Sequence, residues 1–130
     1  MTDELEQLKQ KARAWMEDDP DPVTRDETAR MLEAEDLDAL REAFGARLEF
    51  GTAGLRGIIG AGPNRMNRAL VRRVSKGLAD YLLAEHPRAR EAGVVVGGDA
   101  RRLSPELTLD TARVIAGAGI PVHLFDEPVP

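Results

Sequence analysis

Residues 48–62 read Leu-Glu-Phe-Gly-Thr-Ala-Gly-Leu-Arg-Gly-Ile-Ile-Gly-Ala-Gly, and the rest of the chain is organised around this stretch. Five glycines interrupt two short apolar runs, and a single arginine, Arg56, lies among them. Glycine reaches backbone conformations that a Cβ forbids, and it lets other groups approach closely. An arginine held there can bind an anion through two parallel N–H groups. The residues alone leave two interpretations open: a tight hairpin with a solvent-facing arginine, or an anion site.

The composition is that of a globular protein in a reducing compartment. The chain has 130 residues, 42% hydrophobic and 32% charged, which suits one domain or one domain with a small appendage. The lack of cysteine excludes disulfides, thiolate metal sites and cysteine nucleophiles within the chain. The N-terminal sequence lacks the features of a secretory signal, and no apolar run approaches the ~20 residues of a membrane span. We therefore expect a cytoplasmic protein without a membrane partner.

Charge is unevenly distributed along the chain. The formal net charge of −5 argues against general nucleic-acid binding. The segment 56–76 nevertheless carries six basic residues and no acid. These residues are Arg56, Arg65, Arg68, Arg72, Arg73 and Lys76. The last four lie on a predicted helix without interleaved aromatic residues, so we expect a solvated basic face and no nucleic-acid partner.

Residues 1–45 are predicted to form an acidic helical extension without a catalytic signal. An apolar stripe at helical spacing predicts a helix over residues 2–17. The stripe consists of Leu5, Leu8, Ala12, Trp15 and Met16. Residues 18–22, with two prolines, are predicted to be a solvated linker. Thr24 and Glu27 form a capping-box pattern that opens a second helix, and Asp36 caps a third that stops at Gly45.

Downstream of this extension the sequence indicates an α/β fold. Residues 47–50 and 55–59 are predicted as short strands around a turn at 51–54. A long amphipathic helix is predicted from Asn67 to Glu85. Its predicted buried stripe consists of Leu70, Val71, Val74, Leu78, Tyr81 and Leu82.

Residues 94–125 have the pattern of a βαβ unit, which belongs in a mixed sheet. Val94–Val96 is a β-branched run typical of a strand buried on both faces. Ser104 is predicted to cap the following helix, because proline follows it at the first helical position. Residues 121–125 are predicted as the next strand. Ligands bind at the carboxyl ends of such parallel strands.

Two loops carry arginines among glycines, residues 51–57 with Arg56 and residues 97–102 with Arg101. Guanidinium groups and glycine-freed backbone N–H groups both bind phosphate oxygens, so these loops predict phosphate or phosphosugar binding. Asp99 in the second loop either orients an arginine or is a plain turn residue. No P-loop or dinucleotide fingerprint is present. The residues themselves predict anion binding without an evident catalytic group.

Four segments in unbroken order resemble the α-D-phosphohexomutase superfamily. Residues 50–57, Phe-Gly-Thr-Ala-Gly-Leu-Arg-Gly, resemble its N-terminal signature. Residues 62–67, Gly-Pro-Asn-Arg-Met-Asn, resemble the phosphoglucomutase/phosphopentomutase branch. Residues 94–104 resemble the family's strand followed by Gly-x-Asp-x-Arg-x-x-Ser, and residues 119–130 resemble its next strand and the segment after it.

The resemblance implies an enzyme that moves phosphate between the C1 hydroxyl and the terminal hydroxyl of a sugar phosphate. It implies a phosphoserine, a bisphosphorylated sugar intermediate and Mg²⁺. It also implies that Arg56 supports the phosphoserine region or a bound phosphate, which makes Arg56 the candidate catalytic residue. The candidate phosphate-binding set that the resemblance implies is Thr52, Gly54, Arg56, Arg65, Asp99 and Arg101.

The resemblance further implies that residues 46–130 are the front part of the family's first domain. The phosphoserine loop, the metal loop and the sugar-discriminating loop are expected after residue 130, so no metal ligand is expected within the chain. The sugar stays open among glucose, mannose and pentose phosphates. We expect this polypeptide alone to lack mutase activity and to self-associate through an exposed sheet edge. The alternative is a non-catalytic phosphate-binding or assembly module.

Overall fold

The computed structural model describes residues 2–130, which form an α/β structure of helices and two small sheets. In chain order its elements are α1 (Thr2–Asp18), α2 (Pro22–Ala34), α3 (Leu37–Phe44), β1 (Phe50–Gly51), β2 (Gly54–Leu55), α4 (Arg68–Glu85), α5 (Ala89–Ala92), β3 (Val94–Val96), α6 (Ser104–Gly117) and β4 (Val122–Leu124). None of the helices in residues 2–130 is long and apolar enough to span a bilayer.

The chain forms two compact units, residues 2–70 and residues 71–130. The first unit contains α1 to α3, the β1–β2 hairpin and the first residues of α4. The second contains the rest of α4, then α5, β3, α6 and β4. The domain boundary after residue 45 stays a prediction.

The core of the first unit lies among its helices. Its buried residues are Leu8, Ala12, Trp15, Leu40, Ala43, Phe44, Ala61 and Ala69. The rings of Trp15 and Phe44 meet edge to face, with centroids 5.9 Å apart, an arrangement that aromatic quadrupoles favour. The predicted stripe of α1 therefore packs inward, and the helices share their core with residues beyond position 45.

Two aspartates of the turn between α1 and α2 are buried, so the prediction of a solvated linker is wrong. Asp19 and Asp21 are only 3% and 7% exposed. The Asp19 carboxylate accepts hydrogen bonds from the Asp21 N–H and the Thr24 hydroxyl. Asp21 caps α2, with Pro22 at its first position. The predicted capping box of Thr24 and Glu27 is therefore also wrong, because the preceding aspartate and proline supply the helix start.

The stretch 48–62 contains a hairpin with strands of only two residues each. β1 and β2 pair antiparallel, and Gly54, the first residue of β2, has a φ of +95°. The predicted strands over 47–50 and 55–59 are too long because their backbone groups pair elsewhere. The Leu48 N–H donates to the Pro63 carbonyl at 3.0 Å, and the Ile58 carbonyl accepts from Met66 at 2.7 Å. Both limbs of the hairpin are thus joined to the loop 60–66.

In the second unit, β3 and β4 pair in parallel, and α6 connects them. Val94 and Val122 lie opposite each other and pack against buried Ile115 and Ile120. Val95, whose side chain points to the other face, is 67% exposed. The prediction that β3 is buried on both faces is therefore wrong, since this core covers only one face of the pair.

The buried face of α4 differs from the predicted stripe. Leu78 and Tyr81 are exposed, whereas Ser75 and Ala79 are buried. The Ser75 hydroxyl donates to the hydroxyl of Thr111 on α6 at 3.2 Å. The sequence pattern missed this face because its small residues were not counted as core.

The predicted basic face of α4 is only partly solvated. Arg72 forms an ion pair with Asp110 at 3.2 Å, and the Asp110 side chain is 1% exposed. A buried carboxylate is costly unless it is paired. Arg72 therefore has a structural role, whereas Lys76 pairs with Asp80 one turn along the exposed surface of the helix.

Two glycines give opposite expectations for stability. Gly62 has a φ of +103°, and a Cβ added there would lie 2.4 Å from the carbonyl oxygen of Ala43. Gly77 lies within α4, where an added Cβ meets nothing within 4 Å. We expect Gly62→Ala to lower the free energy of unfolding by about 2 kcal/mol or more. Gly77→Ala should raise it by about 0.5–1 kcal/mol. Urea denaturation followed by circular dichroism measures both, and wild-type stability in Gly62→Ala would contradict the described loop.

Candidate functional site

The hairpin presents its candidate residues to solvent. Thr52 and Gly54 lie in or beside the turn, and Arg56 follows β2; all three are exposed. Within residues 2–70 the Arg56 guanidinium has no hydrogen-bond or ion-pair partner. All of its N–H donors therefore stay available for an anion.

The loop 60–66 behind the hairpin is held by a buried amide. Asn67 donates through Nδ2 to the carbonyl oxygens of Gly60 and Gly62, both at 2.8 Å, and of Arg65 at 3.3 Å. Its Oδ1 accepts from the Leu70 N–H at 2.8 Å and so caps α4. The side chain of Asn67 thus fixes the loop to the start of the helix.

Arg65 uses its guanidinium inside this loop. Nη2 pairs with the Glu42 carboxylate at 3.2 Å. Nη1 donates to the carbonyl oxygens of Glu42 and Asn64. These contacts attach the loop to the end of α3, and phosphate binding by Arg65 stays a prediction.

The second candidate loop is built around Asp99, which follows β3. Its Oδ1 accepts from the Ser104 hydroxyl at 2.5 Å and from the Arg101 backbone N–H at 3.1 Å. Its Oδ2 accepts from Arg101 Nε at 2.6 Å. The Arg101 side chain is 85% exposed, and its Nη atoms make no hydrogen bond within residues 71–130. Asp99 therefore orients one edge of this guanidinium and leaves the other edge for an anion.

Ser104 does not cap α6, contrary to the prediction. The capping position is Leu103, which has a φ of +71° and provides no side-chain hydrogen bond. The serine hydroxyl instead donates back to Asp99. The sequence reasoning missed this contact, although Asp99 bonding to the N–H two residues on is an Asx turn, a motif that aspartate in a loop favours.

A cleft of ≈ 280 Å³ opens beside this loop in the second unit. Asp99, Arg101, Ser104 and Thr108 contribute polar groups to its wall. Gly98 also lines the cleft, and a larger residue does not fit there because a Cβ would lie 2.2 Å from the Thr108 hydroxyl oxygen. The cleft therefore lies next to the carboxyl end of β3, where parallel sheets bind ligands.

The hydrogen bond from Ser104 is the largest cause that lowers the pKa of the Asp99 carboxyl, followed by the bond from the Arg101 backbone N–H. Hydrogen bonds to the charged form stabilise it. The ion pair with Arg101 acts in the same direction. The Asp99 carboxyl is therefore ionised at neutral pH, and its ion pair with Arg101 is retained.

Residues 47–130 match the family model described as phosphoglucomutase/phosphomannomutase, alpha/beta/alpha domain I. The chain belongs to the phosphoglucomutase/phosphomannomutase family. The resemblance seen in the sequence is therefore confirmed. Both candidate loops, with Arg56 and Arg101, lie inside the matched region of this phosphoglucomutase/phosphomannomutase domain.

Relatives with curated names are sugar-phosphate mutases. The chain is 39% identical over 120 residues to the probable phosphoribomutase of Schizosaccharomyces pombe, covering 92% of this chain and 20% of that protein. It is 36% identical over 129 residues to the phosphopentomutase of Mus musculus, and this alignment covers 95% of this chain and 21% of that protein. It is 40% identical over 86 residues to the phosphoglucomutase of Staphylococcus aureus strain USA300, and this alignment covers 66% of this chain and 15% of that protein. The chain thus spans about a fifth of the length of the first two relatives. No solved structure matches the chain.

The described residues do not form a metal site. Within residues 2–130 no group of three or more histidine, aspartate or glutamate side chains is placed to hold a metal ion.

We expect the Asp99 carboxyl to titrate below its ordinary pKa of 3.8, and Ser104→Ala to raise that pKa. Because the folded pKa lies below the unfolded one, the carboxylate contributes stability above about pH 4, and this contribution is lost as pH falls through the folded pKa. Carbon-13 NMR titration of the Asp99 carboxyl measures the midpoint. Ser75→Ala, which removes a hydroxyl elsewhere in the unit, is the control. Equal midpoints in wild type and Ser104→Ala would contradict the assignment of the hydrogen bond.

Proposed function

We propose that this chain is the N-terminal part of a phosphosugar mutase, an isomerase that acts as an intramolecular phosphotransferase. The observation that carries the proposal is the family match over residues 47–130, which includes both arginine loops. The structure supports it because Arg56 and the Nη edge of Arg101 are unpaired within their own units. Exposed guanidinium edges suit the recognition of phosphate.

The same family match supports the domain organisation that we propose. Residues 46–130 form the front part of the family's first domain, and β3, α6 and β4 form a βαβ unit of its mixed sheet. Residues 1–45 precede this domain as a helical extension. The relatives are about five times as long as this chain, which supports further domains in the whole protein.

In the proposed reaction a phosphoserine gives its phosphoryl group to one hydroxyl of a sugar monophosphate. The resulting bisphosphorylated sugar reorients and returns its other phosphoryl group to the serine. Arg56 offsets charge on a phosphoryl group during transfer, because its guanidinium has no partner within residues 2–70 and can donate two parallel N–H bonds. Thr52 and Gly54 shape the turn beside it, and Arg101 binds phosphate with the edge that Asp99 leaves open. Residues 2–130 provide no group of ligands for Mg²⁺; the ion, held by other parts of the whole protein, would neutralise phosphate charge.

A pentose phosphate is the substrate class that the relatives favour. Relatives that align with more than nine-tenths of the chain include a phosphopentomutase and two phosphoribomutases, one of them named as probable. The phosphoglucomutases align with about two-thirds of it. Turnover of ribose 1-phosphate and glucose 1-phosphate by the whole protein distinguishes the two classes.

We expect Arg56→Ala in the whole protein to lower kcat/KM by about 10²–10³-fold, as loss of a transition-state donor does. Arg56→Lys should recover only part of the lost kcat/KM, since an ammonium group cannot donate two parallel N–H bonds as a planar guanidinium does. Arg30→Ala removes an exposed arginine from α2 in the same unit and serves as the control. Steady-state assays measure the three variants. Equal kcat/KM in Arg56→Ala and Arg30→Ala would remove Arg56 from the site.

A polypeptide of residues 1–130 alone is expected to show no mutase activity. Phosphoryl transfer depends on positioning and charge neutralisation by several parts together, and this chain spans about a fifth of its relatives. The assay combines ribose or glucose 1-phosphate with Mg²⁺ and a bisphosphate activator. Turnover by the purified polypeptide would contradict the proposal.

A further inference from the structure

We infer that Glu27, on α2 of the N-terminal helices, is a positioning residue for Arg56. The inference rests on the proposed function, because Glu27 acts only through that arginine. The Glu27 carboxylate accepts a hydrogen bond from the Ala61 backbone N–H at 3.0 Å. Ala61 is buried, and a buried N–H has no water to replace a lost partner. Glu27 therefore supplies the hydrogen-bond acceptor that the Ala61 N–H needs, although the two residues are 34 positions apart in the sequence.

The backbone around Ala61 is fixed from two sides. The carbonyl oxygens of its neighbours, Gly60 and Gly62, are bound by the Asn67 amide. The N–H between them is bound by Glu27. Because these carbonyl and N–H groups are all hydrogen-bonded, the backbone at Gly60 and Gly62 is fixed in one conformation, despite the freedom that glycine ordinarily has.

This fixed loop in turn holds the base of the hairpin. The Met66 N–H donates to the carbonyl of Ile58, which lies two residues beyond Arg56. The Leu48 N–H on the other limb donates to the Pro63 carbonyl. Leu48 also packs against Gly57, where an added Cβ would lie 2.5 Å from its Cδ1. A displacement of the loop therefore moves both limbs and the arginine between them.

The chemistry of the Glu27 contact allows a conservative rescue. Glutamine retains an oxygen that accepts from the Ala61 N–H, whereas alanine removes the acceptor. Glu33, on the same helix, is exposed and makes no hydrogen bond or ion pair within residues 2–70. Glu33→Ala is therefore the matched control for loss of a carboxylate from α2.

The test is a double-mutant cycle in the whole protein with ribose 1-phosphate or glucose 1-phosphate, whichever the wild type converts. We expect Glu27→Ala to lower kcat/KM by about tenfold, since small misplacements of a catalytic group cost this much or more. Glu27→Gln should recover to within about threefold of wild type because the hydrogen bond is retained. In the Arg56→Ala background, Glu27→Ala should have no further effect, because coupled residues are non-additive.

A purely structural role gives a different result. It would lower kcat/KM equally in both backgrounds, and that outcome overturns the inference, as does wild-type kcat/KM in Glu27→Ala. In either case a large effect of Arg56→Ala leaves the proposed function standing. If Arg56→Ala has wild-type kcat/KM, or the whole protein converts neither sugar phosphate, the proposed function fails and this inference fails with it.

Amide hydrogen exchange at Ala61 tests the contact without any activity. Loss of the acceptor should speed exchange by about tenfold or more, and Glu27→Gln should exchange like wild type. Unchanged exchange in Glu27→Ala would overturn the inference whatever the kinetics show. If Glu27→Ala does not fold, Glu27→Asp, which shortens the reach by one methylene, takes its place in the same cycle.

Discussion

The buried side chain of Asn67 joins the loop 60–66 to the start of α4 by using both ends of its amide. Nδ2 binds three carbonyl oxygens, and Oδ1 caps the helix. No other side chain of this size offers two donors and an acceptor in one plane, since aspartate lacks the donors and leucine lacks both. Removing it leaves several buried backbone groups without partners, which folded proteins avoid. The loop, the hairpin base and the first turn of α4 therefore depend on one residue.

The glycines of the stretch 48–62 fall into two kinds, those that the fixed loop requires and those at the exposed end of the hairpin. Gly62 is required by its positive φ and by the approach of the Ala43 carbonyl, so its role is structural. Gly54 lies at an exposed turn beside Arg56, where an added Cβ meets nothing within 4 Å. The stretch is thus a hairpin with an exposed end, and phosphate binding at that end stays a prediction. Membership of the phosphoglucomutase/phosphomannomutase family supports phosphate as that ligand.

The sequence predicted some of the features that depend on near neighbours. Asp36 caps α3 and Gly45 ends it, as expected from their positions. Contacts between distant residues have no periodic pattern, so the bonds of Glu27 to Ala61 and of Arg72 to Asp110 could not be predicted. The aspartates before α2 and the serine before Pro105 were misassigned for a related reason, because composition does not show which backbone or side chain a polar group will meet. Both arginine loops could be proposed from the sequence because glycine-rich patterns with arginine are local, and their binding of phosphate stays a prediction.

A crystal structure of the whole protein with a pentose or hexose phosphate bound tests the proposed site most directly. We expect a phosphate or phosphoserine oxygen within hydrogen-bond distance of the Arg56 guanidinium. We also expect the loop 60–66 to keep its bonds to Asn67 and Glu27. A phosphosugar bound elsewhere, with Arg56 pointing into solvent, would contradict the proposed site.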